Sequence, residues 1–257
     1  MARTNAEAIP GAGSARKVLD VLFCFTASRP VWSAPELASR IDVSAATMYR
    51  YLALLRDVGV LDDDGNGSYR MSMRVQAFTA AAEAARSTME NIAMPIMNRI
   101  RDEVDETVLL ARRAGTHAFS IERVESRHQV RMQFDIGQAM PLHLGSMPRV
   151  LLAAMPAAER ADYLNSVFGD APRPGELTEE ALREVVANGY TQSFGEIDDG
   201  IWGVAAAISI GGATGAALGV AAPMYRLDAR QRERIIAAVR DGAREISELV
   251  AFGSHVR

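Results

Sequence analysis

The residues with the clearest chemical potential lie between positions 44 and 58. A helix over this segment would place Met48, Leu52 and Leu55 on one face and Arg50 on the opposite face. The outer face also carries small side chains, a hydroxyl and a phenol. Small residues allow close approach to a DNA groove, and a guanidinium can bind a guanine edge or a phosphate. The candidate DNA-contacting residues are Ser44, Ala46, Thr47, Tyr49 and Arg50 on this helix and Arg70 farther along the chain.

Capping signals make this helix the third of three. Ser14 can cap a first helix, and Ser33 with Glu36 fits a capping box at the start of a second. Residues 41–43 form a tight connection, after which Ser44 caps the third helix. The first and second helices carry apolar residues at helical spacing, so all three can share one core.

A hairpin is predicted directly after the third helix. Two apolar stretches, 60–61 and 69–71, flank the segment 62–68, whose Asp-Gly and Asn-Gly pairs are typical of hairpin turns. Three capped helices followed by a hairpin predict a winged helix-turn-helix. The aspartates at 62–64 would repel phosphates, so the wing tip is expected not to enter a groove deeply, whereas Arg70 can reach the backbone.

Composition limits the class of protein. The chain has 257 residues, a net charge of −4 and a single cysteine, Cys24, which excludes an internal disulfide and a cysteine-cluster metal site. No apolar run approaches the roughly 20 residues that span a bilayer, and the N-terminus lacks a secretory signal pattern. We expect a cytoplasmic protein without membrane contact.

Enzyme chemistry has little support in the sequence. The four histidines (His117, His128, His143 and His255) show no i, i+4 metal-binding pair. Ser146 stands outside any nucleophile-elbow motif, and no glycine-rich phosphate loop with lysine occurs. We therefore expect neither an enzyme nor a cofactor. Two alternatives stay open: an enzyme fused to a winged helix, and a winged helix used only for protein assembly.

The rest of the chain predicts a separate α+β domain. An alanine-rich helix begins near Arg74, and Met94-Pro95 is expected to interrupt the helical pattern before the new domain. The element order α-βββ-αα-βββ-α, with its third strand at Val130–Phe134, suits one antiparallel sheet with helices packed against it. The predicted division is a flexible tail over 1–13, a winged helix-turn-helix over 14–75, a linker helix over 76–90 and an effector-binding and oligomerisation domain over 91–257.

The sequence resembles the IclR family of bacterial transcription regulators over nearly its whole length. The carrying segments, in order, are SAATMYRYLALL at Ser44–Leu55, Gly59-Val60-Leu61, Pro141-Leu142-His143 with Ala153, Gly189-Tyr190, Val204–Ile208 and Leu218–Pro223. The resemblance implies a GAF-like effector-binding domain after the winged helix. It also implies dimers through the N-terminal region and, in many members, tetramers through the C-terminal domains.

The resemblance also implies the place of a ligand pocket. The family's small-residue loop corresponds here to Leu144, Gly145, Ser146 and Met147, followed by Pro148 and Arg149 in place of a Gly-Lys pair. Backbone amides at this helix start could hold a carboxylate or carbonyl oxygen. Ser193, Gly203, Gly219 and Ala221 stand where relatives often carry acidic, thiol or hydroxyl groups. Met132, Phe134, Phe194 and Trp202 could line the pocket with apolar and aromatic surface, core packing being the alternative for each.

These observations predict a ligand-responsive transcription regulator, interpreted as a repressor. Its expected partners are pseudo-palindromic double-stranded operator DNA, bound by a homodimer or a dimer of dimers, and a small-molecule effector. The pocket's few polar groups favour an aromatic acid, amide or hydrazide from a catabolic pathway. A short aliphatic or keto acid is the alternative effector.

Overall fold

The computed structural model describes residues 12–26, 28–84, 88–129, 132 and 134–254. Most of the predicted tail over 1–13 lies outside these residues. The chain divides into two compact units between residues 84 and 88. In the described part of the chain, no helix is both long and apolar enough to cross a membrane.

The N-terminal unit consists of helices and a small antiparallel sheet. Its helices are α1 (Gly13–Leu22), α2 (Ala34–Ile41), α3 (Ala45–Asp57) and α4 (Val75–Ala84). Its strands are β1 (Val31–Ser33), β2 (Leu61–Asp63) and β3 (Ser68–Met71), in the order β1-β3-β2. The predicted winged helix-turn-helix is confirmed, although α1 begins at Gly13 and places Ser14 within its first turn instead of at its cap.

Local signals define the helix-turn-helix. The Glu36 carboxylate accepts hydrogen bonds from the backbone N–H and the hydroxyl of Ser33 at 2.9 and 2.7 Å, which fixes the start of α2. Asp42 ends α2 in the left-handed region at φ 56°, and the Ser44 hydroxyl accepts from the Thr47 N–H at the start of α3. The apolar face of α3 packs into the core through Met48, Leu52 and Leu55, which are at most 4% exposed.

The C-terminal unit is built on one six-stranded antiparallel sheet in the order β6-β5-β4-β9-β8-β7. Its strands are β4 (Thr107–Ala114), β5 (His117–Val124), β6 (Ala139–Pro141), β7 (Tyr190–Phe194), β8 (Ile201–Ile210) and β9 (Ala213–Pro223). Its helices are α5 (Thr88–Val104), α6 (Ser146–Ala153), α7 (Ala157–Phe168), α8 (Glu179–Asn188) and α9 (Ala229–Ser254). The predicted α+β architecture with an antiparallel sheet is confirmed.

Each face of this sheet carries its own core. Alternate residues of β8 and β9 point to opposite faces because the side-chain period of a strand is two. On one face Val204 and Leu218 pack with α5 and α9. On the other face Ala205, Ala217 and Ala221 pack with α6, α7 and α8. The second face has small residues on the strands, and this is where a cavity forms.

Two local predictions for this unit are wrong. Pro95 lies inside the continuous helix α5 and does not interrupt it. The third strand is β6 instead of Val130–Phe134; of that segment the structure describes Met132 and Phe134, and neither is in a strand. Their carbonyl oxygens accept hydrogen bonds from the Thr107 hydroxyl and the Arg123 guanidinium, so side chains satisfy the backbone where a ladder was expected.

Candidate functional site

The first candidate site is the outer face of α3 in the N-terminal unit. Ser44, Ala46, Tyr49 and Arg50 are exposed, and Thr47 is partly exposed. The predicted DNA-contacting side chains of this helix therefore share one accessible face, while the opposite face is buried.

Hydrogen bonds order the N-terminal half of this face. The Ser44 and Thr47 hydroxyls lie 2.9 Å apart, and Arg50 Nη2 lies 3.5 Å from the Thr47 hydroxyl oxygen. The guanidinium thus lies along the first turns of α3, where a recognition helix usually contacts base edges. The arrangement presents two adjacent hydroxyls and one cation on an exposed helix face.

The aspartates at the wing tip accept hydrogen bonds from the backbone of the hairpin turn. The Asp63 carboxylate accepts from the Gly65 N–H at 2.8 Å and pairs with Arg56 at 3.2 Å. The Asp64 carboxylate accepts from the N–H groups of Asn66 and Ser68 at 2.9 and 3.1 Å. These aspartates cap the backbone of the hairpin loop, which accounts for the negative charge in the unit that carries the candidate DNA-contacting face. Arg70, on β3, is exposed.

The second candidate site is a cavity of about 40 Å³ in the C-terminal unit. Its base is the sheet face on which Ser193, Gly203, Ala221 and Thr107 form one cross-strand row. The residues that line the cavity are Leu109, Met132, Phe134, Met140, Gly145, Ser146, Met147, Pro148, Ser193, Glu196, Ile197, Asp198, Ile201, Gly203, Val220 and Ala221. The lining is mostly apolar, with polar groups at one end, as small-ligand sites require.

Glycine gives this cavity its depth. A Cβ atom at Gly203 would lie 2.8 Å from the Ser193 hydroxyl oxygen and 3.0 Å from that of Ser146. Both hydroxyls therefore point into the space that a side chain at position 203 would fill. Ser146 and Ser193 are 6% and 9% exposed, and neither hydroxyl makes a hydrogen bond to another residue in the described part of the chain. They are free to bind a polar group in the cavity.

Glu196 lines this cavity and forms an ion pair with Arg149, which lies behind it and outside the cavity lining. Arg149 is 2% exposed, and its Nη2 donates to Oε2 of Glu196. The same oxygen accepts from the Gly145 N–H at 2.9 Å, and Arg149 Nη1 donates to the Gln192 carbonyl oxygen at 2.9 Å. The amide that was predicted to be open for a ligand is therefore bound to the protein's own carboxylate. Arg149 Nε is buried and has no partner among the described residues.

A loop bounded by two glycines brings Glu196 to this position. Residues 195–200 connect β7 to β8 and are flanked by Gly195 and Gly200, at φ +66° and +80°. A Cβ atom at Gly145 would lie 2.8 Å from Ile197 Cδ1, so the Ile197 side chain covers the start of α6. We refer to residues 195–200 as the cover loop.

Several predicted ligand-binding residues lie away from the cavity. Trp202 is fully buried in the core on the opposite sheet face, where its indole N–H donates to Gln192 Oε1 at 3.1 Å. Its predicted place in the pocket is thus corrected, because strand alternation puts Gly203 and not Trp202 toward α6. Phe194 is 53% exposed, and neither Phe194, Leu144 nor Gly219 lines the cavity. Met147 occupies the space above Gly219, since a Cβ there would lie 2.7 Å from Met147 Cγ.

Sequence reasoning missed the cover loop. Glu196, Ile197 and Asp198 all line the cavity, and none was a candidate. The signal that could have found them is the spacing of Gly195 and Gly200 between two strands, which indicates a hairpin loop at the strand ends that carry Ser193 and Gly203.

The histidines form no metal centre in the described residues, which contain no group of three or more histidine, cysteine, aspartate or glutamate side chains that could hold an ion. His143 Nδ1 lies 2.8 Å from the Tyr163 hydroxyl. Burial lowers the pKa of His143, and nearby His117 lowers it further; burial also lowers the pKa of His117. Both rings therefore favour the neutral form.

Comparison with known families identifies both units. A family model described as the IclR helix-turn-helix domain matches residues 14–65. A second, described as the bacterial transcriptional regulator IclR C-terminal domain, matches residues 82–248.

Individual relatives agree with these models. The chain is 30% identical over 176 residues to the HTH-type transcriptional regulator KipR of Bacillus subtilis, which covers 66% of this chain and 70% of the relative. It is 26% identical to the regulator BhcR of Paracoccus denitrificans, over 95% of this chain and 89% of the relative.

Solved structures share the fold. A regulator from Brucella abortus matches with a TM-score of 0.76 at 22% identity, over 97% of this chain and 100% of the other. An IclR homolog from Microbacterium hydrocarbonoxydans, complexed with 4-hydroxybenzoate, matches with a TM-score of 0.71 at 24% identity, over 93% and 99% of the two chains.

Proposed function

Because this chain belongs to the IclR family and is a transcriptional regulator with an N-terminal helix-turn-helix DNA-binding domain, we propose that it represses a catabolic operon and responds to a small aromatic acid, amide or hydrazide. The operator is pseudo-palindromic and is bound by a homodimer or a dimer of dimers. No enzymatic activity forms part of the proposal.

The exposed row of Ser44, Thr47 and Arg50 supports the assignment of α3 as the recognition helix. The two hydroxyls lie within hydrogen-bond distance of each other, and Arg50 Nη2 lies 3.5 Å from the Thr47 oxygen, so the three side chains form one polar row. Arg70 on the wing adds a cation at the same unit's surface. The other predicted contacts, Ala46 and Tyr49, are exposed on the same helix.

Exposed apolar side chains on the N-terminal unit support dimerisation through this unit. Leu19, Phe23, Met73 and Phe78 are between 53% and 77% exposed. Apolar side chains exposed to this degree are stabilised when a partner covers them. A two-fold dimer would present two copies of α3 to related half-sites.

The observation that carries the effector proposal is the apolar cavity with the unpartnered Ser146 and Ser193 hydroxyls at its polar end. Leu109, Phe134 and Met147 supply surface suited to a ring. A sugar would leave most of its hydroxyls without partners against this lining, at about 1–3 kcal/mol each. The complex of the Microbacterium homolog with 4-hydroxybenzoate is a property of that protein; the proposal for this chain rests on its own cavity.

A short aliphatic or keto acid is the second candidate effector, and the cavity volume favours it. About 40 Å³ is far below the roughly 150 Å³ of a cavity that holds benzene. An aromatic effector therefore requires the cavity to enlarge, whereas a short acid requires less change.

Thermal-shift titration with matched panels tests the effector class. Benzoate, 4-hydroxybenzoate, 4-hydroxybenzamide and 4-hydroxybenzoic hydrazide form one panel, and glyoxylate, pyruvate and pyruvamide form the other. The proposal expects the aromatic panel to raise the melting temperature. A rise with the aliphatic panel alone would assign the second candidate instead.

A further inference from the structure

The Glu196 carboxylate lies at the polar end of the cavity. It lies between the Gly145 N–H and the Arg149 guanidinium, both of which bind its Oε2 atom. A backbone amide at a helix start and a buried guanidinium together make a carboxylate-binding site. In this structure the carboxylate in that site belongs to the cover loop.

We propose that Glu196 takes the place of the effector's own carboxylate, and that an acidic effector binds by exchange: its carboxylate replaces that of Glu196 on the Gly145 N–H and Arg149, and the cover loop moves away. This inference rests on the proposed effector-binding function and names the head group and the residues that select it.

Volume is the first reason for exchange. With Glu196 and Ile197 in place the cavity is about 40 Å³, roughly a quarter of the volume of about 150 Å³ in which one benzene ring binds. Ile197 lies directly over Gly145, so the cover loop must move before a ring can reach the start of α6. That movement withdraws Glu196 from the same place.

Charge is the second reason. Arg149 is 2% exposed, and Glu196 is its ion-pair partner. Withdrawing Glu196 alone would leave a buried, uncompensated cation, which is strongly unfavourable. An incoming carboxylate restores the neutral pair, whereas a neutral amide does not. The exchange therefore selects an acid over its amide.

Imperfect pairing is the third reason. Glu196 uses one oxygen for both donors, and Arg149 Nε stays buried with no partner among the described residues. A carboxylate that is not tethered to the loop can turn to bind two guanidinium N–H groups, the stronger geometry for this pair. The internal carboxylate is thus a displaceable occupant.

The cover loop has the backbone for such a movement. Gly195 and Gly200 bound it at positive φ, and Ile197, Asp198, Asp199 and Gly200 are exposed. Its backbone is tied at the strand ends, where the Gly195 N–H donates to the Ile201 carbonyl at 2.7 Å. The two ends can stay paired while the residues between them move.

Glu196→Gln tests the exchange, because glutamine keeps the size and an acceptor oxygen but removes the competing charge. Calorimetric titration compares 4-hydroxybenzoate with 4-hydroxybenzamide, and pyruvate with pyruvamide. Since a hydrogen bond to a charged group is the stronger kind, we expect the acid of the binding pair to gain about tenfold in affinity and its amide to change less than about threefold.

Asp199→Asn is the matched control. Asp199 lies in the same loop but outside the cavity lining, and its side chain makes no hydrogen bond or ion pair within the described part of the chain. It removes the same charge without affecting the Gly145 and Arg149 contacts, so we expect less than a threefold gain for the acid. Equal gains in both variants would reduce the effect to general electrostatics and overturn the exchange.

Other outcomes are equally decisive. If Glu196→Gln weakens the amide and leaves the acid unchanged, Glu196 stays in place and accepts from a neutral ligand, so the proposal fails. If no acid of either pair binds wild type or variant, it fails as well. If only pyruvate shows the gain, the exchange stands while the aromatic assignment of the proposed function falls.

Hydrogen–deuterium exchange of the wild-type protein gives a readout that does not depend on the variant's folding. Saturation with the binding acid should speed exchange in a peptide spanning residues 195–200. Slower exchange there would show that the loop closes over the ligand with Glu196 retained, against the proposal.

Discussion

At the scale of single residues, the proposed DNA recognition centres on Arg50. Its side chain is exposed and lies beside the Thr47 hydroxyl on the outer face of α3. No core contact depends on it, so its loss should affect binding and not folding. Its neighbours Met48 and Leu52 hold the helix in place from the other side.

Arg50→Ala should weaken binding to operator DNA by about 1–3 kcal/mol and leave the melting temperature unchanged. The reason is the loss of a guanidinium contact to a base edge or phosphate. Fluorescence anisotropy at fixed salt measures the change. Arg230→Ala removes an equal charge from the exposed surface of α9 and serves as the control. Equal affinity of wild type and Arg50→Ala would contradict the role.

Phe194 on β7 and Trp202 on β8 are cross-strand partners, but the two side chains differ in burial. Trp202 is 0% exposed and Phe194 is 53% exposed. Trp202→Ala should lower the free energy of unfolding of the C-terminal unit by about 3–5 kcal/mol, the range for large-to-small core substitutions. Phe194→Ala should cost less than about 1 kcal/mol. Urea unfolding of both variants measures these changes. Similar decreases in the free energy of unfolding would argue against the core assignment of Trp202.

At the scale of elements, the region around β5, α6 and α7 carries two histidines, His117 and His143, whose pKa is lowered by burial. Because the pKa of His143 and His117 is lowered in the folded state, the unfolded chain binds more protons as pH falls. Their stabilising contribution is present above the ordinary histidine value of about 6.5 and is lost as pH falls through the lower folded values.

The melting temperature should accordingly fall between pH 7.5 and pH 5, and the double variant His117→Gln/His143→Gln should show a shallower fall. Differential scanning fluorimetry across this range measures both slopes. A steeper or equal slope in the double variant would show that other groups dominate the acid response.

The sequence predicted elements where local signals agreed with tertiary packing. The Ser33–Glu36 capping box and the turn before Ser44 were visible in the residue types and are present in the structure. Pro95 was misleading, because it lies within a helix whose packing against α9 outweighs the local preference. The third strand was misplaced because side-chain hydrogen bonds to the Met132 and Phe134 carbonyls replaced a ladder.

The site was less predictable than the fold for a geometric reason. Gly203 and Ser193 were correctly named as candidates. The sheet face toward which Trp202 points depends on the strand register, and a shift of one residue moves every side chain of a strand to the other face. Glu196 was missed because nothing local connects it with Gly145, 51 positions away. Only the folded sheet brings the cover loop to the start of α6.

At the scale of the whole molecule, one winged helix covers too few base pairs for a specific genomic site. We expect a footprint of two inverted half-sites whose centres lie about one helical turn or a multiple apart, bound by a dimer or a dimer of dimers. DNase footprinting combined with analytical ultracentrifugation measures both. A single unrepeated half-site protected by a monomer would contradict this expectation.

In the proposed function, ligand occupancy of the cavity changes the affinity of the protein for DNA. The most direct measurement is the Kd of the full-length protein for a labelled genomic fragment that it selects itself, determined at fixed salt with and without saturating 4-hydroxybenzoate. We predict a Kd change of at least tenfold, equivalent to about 1.4 kcal/mol of coupling, which is within the usual range for allosteric regulators. An unchanged Kd at a concentration where calorimetry shows the ligand bound would contradict the claim.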